Sequence, residues 1–173
     1  MSIPDQIIAH EDKALWRFEP PRTVIKRRLY LTATARKHLT DPNSATNVLG
    51  LRGYIQSALI HWVSGGLIRA DEKGRPRFLK RLDAPPPEIW EIRVTDPSPQ
   101  ARLLGRIVEQ DTLILDRFHT RQFLGDRDNP NSGWKEAMSA CDEAINALFP
   151  GEVLFQGASI NQYVKDNCHD FAI

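Results

Sequence analysis

Apolar and polar positions alternate in three successive runs between Glu88 and Arg121, and the pattern predicts three antiparallel strands around which the rest of the chain is arranged. In the first run Trp90, Ile92 and Val94 share one face, and Glu91 and Arg93 share the other. Asp96-Pro97-Ser98-Pro99 cannot continue a ladder, because each proline lacks an N–H, so the chain turns there and returns as Ala101 to Val108. Glu109-Gln110-Asp111 makes the next turn. Thr112 to Phe118 gives the third strand, with Leu113 and Leu115 on one face and Ile114 and Phe118 on the other, and it delivers His119 and Arg121 to its C-terminal end.

The flanking segments follow a longer period. Thr23 to Thr32 reads as an opening strand whose three successive charges, Lys26, Arg27 and Arg28, must place at least one on each face. Thr34 to Leu39 predicts a short helix stopped at Asp41-Pro42-Asn43. Val48, Leu51, Ile55, Leu59 and Trp62 recur every three or four residues, which predicts a helix laid across the sheet and ended by Gly65-Gly66, with Tyr54 and His61 as flanking residues. Leu67-Ile68-Arg69 and Arg77 to Lys80 read as a basic hairpin, and Ala84-Pro85-Pro86-Pro87 as a stiff joint into the central strands. Beyond Arg121, a helix capped by Asn131 or Ser132 carries Trp134, Ala137, Met138, Cys141, Ala144, Ile145 and Leu148 on one face, and a second short helix spans Ser159 to Val164. The chain is thus expected to be one α+β domain, with an arm over 1–22, a core over 23–121 and a helical extension over 122–173 packed on that core.

A length of 173 residues suits a single domain with its own core. The net charge of +1 conceals a split: residues 1–81 hold 15 Lys and Arg against 7 Asp and Glu, and residues 82–173 hold 8 against 15. A basic half and an acidic half on one chain point to a nucleic-acid face or to an internal electrostatic clasp, unless the charges simply solvate the surface. Cys141 and Cys168 are too few and too far apart for a disulfide framework, and Cys141 sits within an apolar helical stripe as a core residue. Neither an export signal nor a run of about eighteen apolar residues is present, so a cytoplasmic protein with no membrane span is expected.

The segments Trp90-Glu91-Ile92-Arg93-Val94, Arg102-Leu103-Leu104, Leu113-Ile114-Leu115 and Phe118-His119-Thr120-Arg121 resemble the RelE/HigB superfamily of bacterial toxin ribonucleases. The resemblance implies a helical pair followed by an antiparallel meander. It also implies metal-independent cleavage of messenger RNA through the substrate's own 2′-hydroxyl, with RNA as partner, possible association with the ribosome, a separate antitoxin protein, and no cofactor. Such a reaction needs a base at that hydroxyl, positive charge on the phosphate and an acid for the leaving oxygen. By resemblance, Arg102 holds the phosphate-binding position, and Arg121 and His119 form the terminal basic cluster, His119 being able to shuttle a proton. Arg93, Glu91, Arg77 and Lys80 are the candidate substrate-binding residues. Glu91 departs from the pattern by standing where the family has a lysine, a place from which it would hold Arg93 or Arg102. The tyrosine that some members carry after the last basic residue has no counterpart here, since Phe123 lacks the hydroxyl.

Other readings remain open at this stage. Arg93, Arg102 and Arg121 could serve only in cross-strand pairs with Glu91, Glu109 and Asp116. The fold could persist without the chemistry, as an RNA- or protein-binding module of a phage or mobile element. A winged-helix-like DNA-binding protein would use Arg75, Arg77, Lys80 and Arg81 of the basic hairpin 67–81 on phosphates. The terminal Cys168-His169-Asp170 is neither a triad nor a metal site, because such groups are assembled by the fold and not by adjacency. Glu152 to Gly157, EVLFQG, resembles a picornaviral protease cleavage sequence and is read as native.

Overall fold

The computed structural model describes residues 2–69, 78–82, 88–126, 129 and 131–168. In chain order they form α1 (Ile3–His10), β1 (Leu15–Arg17), β2 (Arg28–Thr32), α2 (Ala33–Thr40), α3 (Ala45–Val48), α4 (Arg52–Val63), β3 (Leu79–Arg81), β4 (Trp90–Val94), β5 (Ala101–Glu109), β6 (Thr112–Thr120), α5 (Arg121–Leu124), α6 (Trp134–Asn146) and α7 (Ile160–Tyr163). The strands make one sheet in the order β1-β2-β6-β5-β4-β3. The fold is therefore α+β. The sheet is mixed and not wholly antiparallel: β3 to β6 form the antiparallel run that alternation predicts, but β2 lies parallel to β6. Helices and three strands separate those two in sequence, so no hairpin dictates their direction.

Each face of the sheet is covered. Leu29, Leu31, Ile92, Leu103, Leu113 and Leu115 meet the apolar sides of α2, α4 and α7, and Tyr30, Leu104, Val108 and Ile114 meet those of α1 and α6. Residues 1–22 supply α1 and β1, through which Ile7 and Leu15 enter the second core. Among the described residues no helix is long and apolar enough to cross a membrane.

Local sequence explains where the elements end. The predicted stripe from Val48 to Trp62 is broken into α3 and α4, because Gly50 adopts φ +70° between them. Leu51, Ile55, Leu59 and Trp62 face the core as expected, whereas Val48 is 70% exposed. The opening strand begins only at Arg28, since the backbone N–H groups of Lys26 and Arg27 bond to the Val63 carbonyl at the end of α4. Gly133, not Asn131 or Ser132, stands at the start of α6, and no side chain caps it. Ser159 and Gln162 do form a capping box on α7. Residues 70–77, with Arg75 and Arg77, and the joint at 83–87 lie outside the described residues.

The irregularity that matters most lies in β6. Leu104 pairs with Arg117 and Gly105 with Leu115, so Asp116 opposes no residue of β5. One extra residue in a strand inverts its alternation beyond that point. Phe118 accordingly joins Leu113 and Leu115 in the α4-side core, and not Ile114 as simple alternation predicts. The bulge requires a glycine beside it, because a Cβ on Gly105 would lie 2.1 Å from the Ile114 carbonyl oxygen. It is fixed by its own carboxylate, which accepts from the Thr32 hydroxyl at 2.8 Å and from Arg117 Nε at 2.7 Å.

Candidate functional site

The inverted alternation carries His119 to the face of the sheet that holds Arg93 and Arg102. Arg93 stands directly opposite Arg102, Arg102 directly opposite His119, and Lys80 directly opposite Glu91. Five residues singled out by their chemistry, Lys80, Glu91, Arg93, Arg102 and His119, thus share one face of four adjacent strands. Arg121 follows at the start of α5, with its backbone N–H bonded to the Gln100 carbonyl at 2.7 Å.

Two guanidinium groups set directly across from each other repel. Glu91 resolves the conflict: its two oxygens lie 3.3 Å from Arg102 Nε and 3.6 Å from Arg93 Nε. Arg102 is only 2% exposed, and its remaining nitrogens donate to the Ala101 carbonyl at 2.9 Å and the Gln100 side chain at 2.8 Å. Burial lowers its pKa to about 10, with Glu91 opposing that shift and Arg93 and Arg121 adding to it, so it stays charged at neutral pH. Arg102 is therefore a buried organiser of the site. Arg93 is half-buried, and Arg121 lies over the Trp134 ring at 5.7 Å instead of pairing with Asp116. Of the pairs weighed above, only those to Glu91 form, across the strands to Arg102 and along β4 to Arg93; Glu109 pairs with Arg28, and Asp116 with Arg117. Of the residues expected in the basic hairpin, Arg81 lies in β3 and turns inward to Glu88 at 3.6 Å and to the Gly157 carbonyl at 3.1 Å.

The other wall comes from α2, whose N-terminus is capped by the Thr32 side chain where β2 stops. His38 of this helix lies 6.0 Å from the Phe118 ring and 6.2 Å from the His119 ring. Beside it opens a cavity of about 390 Å³ lined by Thr34, Lys37, His38, Asp41 and Ser44. Burial pushes the His119 pKa down to about 4, helped by His38 and Arg117, and burial also lowers that of His38. Both rings are neutral at pH 7. His119 Nε2 is buried without a hydrogen-bond partner. Phe123 of α5 lies flat on the His119 ring, with centroids 5.0 Å apart and planes 8° from parallel, and is 66% exposed.

Phe123 and His38 are the members that sequence reasoning missed. The first was weighed only for its lack of a hydroxyl, and the second comes from a distant helix with no local signal. Among the described residues no cluster of three or more His, Cys, Asp or Glu side chains is placed to hold a metal ion. Comparison of the chain with protein-family models, with curated proteins and with solved structures found no match.

Proposed function

We propose that the chain binds single-stranded RNA at the rim of the sheet where Arg93, Arg102, His119 and Arg121 meet. The observation that carries this reading is the exposed Phe123 ring held flat on His119 beside that arginine row. A solvent-open aromatic face stacks an unpaired base, while neighbouring cations meet the phosphates on either side. Arg93, Arg121 and the exposed Lys37 provide reachable charge, and the buried Arg102 adds a fixed positive charge beneath them. The RelE/HigB resemblance leads one to expect a helical pair followed by an antiparallel meander, and the α+β fold is consistent with that at the level of its class.

Toxin-like cleavage through the RNA 2′-hydroxyl is the second reading, and one observation favours it. His119 stands directly opposite Arg102 and its buried Nε2 has no hydrogen-bond partner, so in the tautomer with its proton on Nδ1 that nitrogen is a free proton acceptor. A separate antitoxin and ribosome association belong to that reading.

Fluorescence anisotropy with a labelled oligoribonucleotide tests binding. Affinity should fall with rising salt, and Phe123→Ala should cost about 1–3 kcal/mol, the worth of one stacked base. Removing Arg93 and Arg121 together should lower the salt slope by about 1.4, two phosphate contacts on a single strand. Absence of binding, or indifference to Phe123→Ala, refutes the proposal. Cleavage lost in His119→Ala while binding persists supports the second reading, and RNA left intact by the wild type, with no growth arrest on expression, removes it.

A further inference from the structure

A second groove, of about 550 Å³, opens where α4 meets β4 and the start of β3, with Tyr54, His61, Arg69, Phe78, Arg93 and Asp96 among its lining residues. That volume falls within the range of small-molecule sites. Its walls are not explained by packing alone. Tyr54 is 49% exposed, although its own helix buries Ile55, Leu59 and Trp62. The Phe78 and His61 rings meet at 4.7 Å, tilted by 57°. His61 is held in place by a 2.9 Å hydrogen bond between Nε2 and the Leu67 carbonyl, and by Gly66, where any Cβ would overlap the ring. A carbonyl only accepts, so Nε2 is the donor of that bond. Among the described residues Arg69 has no ion pair, and Asp96 is the only acid that lines the groove.

Aromatic rings and arginine side chains in one recess define a ligand that is planar at one end and anionic at the other. We propose that this groove binds a nucleoside monophosphate unit, with its base against Tyr54 and Phe78 and its phosphate on Arg69. A guanidinium fork meets phosphate oxygens in pairs, and an aromatic face accepts any base, so affinity here is tolerant of base identity. The unit comes either from a free nucleotide or from an RNA strand that also reaches Phe123. Arg93 lines the groove and belongs to the arginine row of the rim, which makes the two places continuous. The strand form rests on the RNA-binding reading above; the free-nucleotide form does not.

Calorimetric titration of the whole chain with AMP, UMP, adenosine and inorganic phosphate tests the groove, beside Tyr54→Ala, Tyr54→Phe and Arg69→Ala. These positions leave the core intact, and each variant is first checked for an unchanged melting temperature. Both nucleotides should bind more tightly than adenosine or phosphate, with a loss of about tenfold in Tyr54→Ala and in Arg69→Ala and retention in Tyr54→Phe. No nucleotide binding up to roughly 1 mM, or equal binding by the wild type and both alanine variants, overturns the proposal. A single-stranded oligoribonucleotide then separates the sources: weaker RNA binding by Tyr54→Ala identifies a strand, and unchanged RNA binding identifies a free nucleotide. Indifference of RNA binding to Phe123→Ala would instead overturn the rim reading, and would leave the groove to stand on the nucleotide titration.

Discussion

Glu91 is the residue on which the rim depends, since one buried carboxylate holds two arginines that would otherwise repel each other. Breaking a buried pair costs about 3–5 kcal/mol, and because Arg93 stays beside Glu91 the cost here lies at the lower end, about 3 kcal/mol. Arg102→Ala should lower the unfolding free energy by that amount in a denaturant titration, and Arg102→Lys should not restore it, because an ammonium cannot reach Glu91, Ala101 and Gln100 together. A wild-type midpoint for Arg102→Ala would show that the pair is not structural. His119 makes a different prediction. Its folded pKa, about 4, lies below the ordinary histidine value of 6.5, so the unfolded chain binds the proton more readily. Its contribution is fully present above pH 6.5 and is lost as pH falls toward 4. His119→Gln should therefore have a shallower loss of stability than the wild type across that window, measured by thermal melts at several pH values. The members of this row were legible in the sequence because strict alternation marked Glu91 and Arg93 as a pair facing one way. That Arg102 lies buried was not, because burial depends on which helices cover the face.

At the scale of elements, the bulge in β6 decides what the rim contains. With strict alternation His119 would share a face with Leu113 and Leu115, and the row would lack it. A side chain at Gly105 must displace the Ile114 backbone or open the ladder, so Gly105→Ala should destabilise the fold by about 1–3 kcal/mol. The same change should shift the NMR signals of the His119 ring, and an unperturbed His119 in a fully stable Gly105→Ala variant would contradict this role for the bulge. The three central strands and their antiparallel pairing were readable from apolar periodicity, whereas β1 and the parallel place of β2 beside β6 were not, and period alone cannot register an inserted residue. The available signal was Gly105 itself, a glycine inside an otherwise apolar strand. Gly50 was the corresponding signal for the break between α3 and α4, and it was overridden by the regular spacing of Val48, Leu51 and Ile55.

For the whole molecule, the division of the sequence into a basic and an acidic half becomes in part an internal clasp. Arg27, 2% exposed, lies 3.7 Å from the Asp111 carboxylate and donates to the carbonyls of Gly66 and Asp166, while Arg28 reaches Glu109 at 3.3 Å. Asp111 in turn accepts from the Lys165 N–H, and the Asn167 amide donates to the Gly65 carbonyl. The C-terminal segment after α7 is thereby tied to the core by charge that the sequence split foreshadowed, through partners it could not identify. Of the acids on α6 and its flank, Asp142 pairs with Arg106 and Glu152 accepts from the Gln6 amide. Arg27→Ala should accelerate hydrogen exchange at Lys165 and Ile68 while the β5 and β6 amides stay protected; equal protection throughout would mean that apolar docking of α7 suffices. Where RNA lies on the chain is read most directly by photo-crosslinking a 4-thiouridine oligoribonucleotide to the intact protein and mapping the attached peptides. RNA bound at the rim gives crosslinks in the segment from Phe118 to Leu124 and beside Arg93, abolished by Phe123→Ala. Crosslinks confined to the outer face of α6, or none at all, would contradict binding at this site.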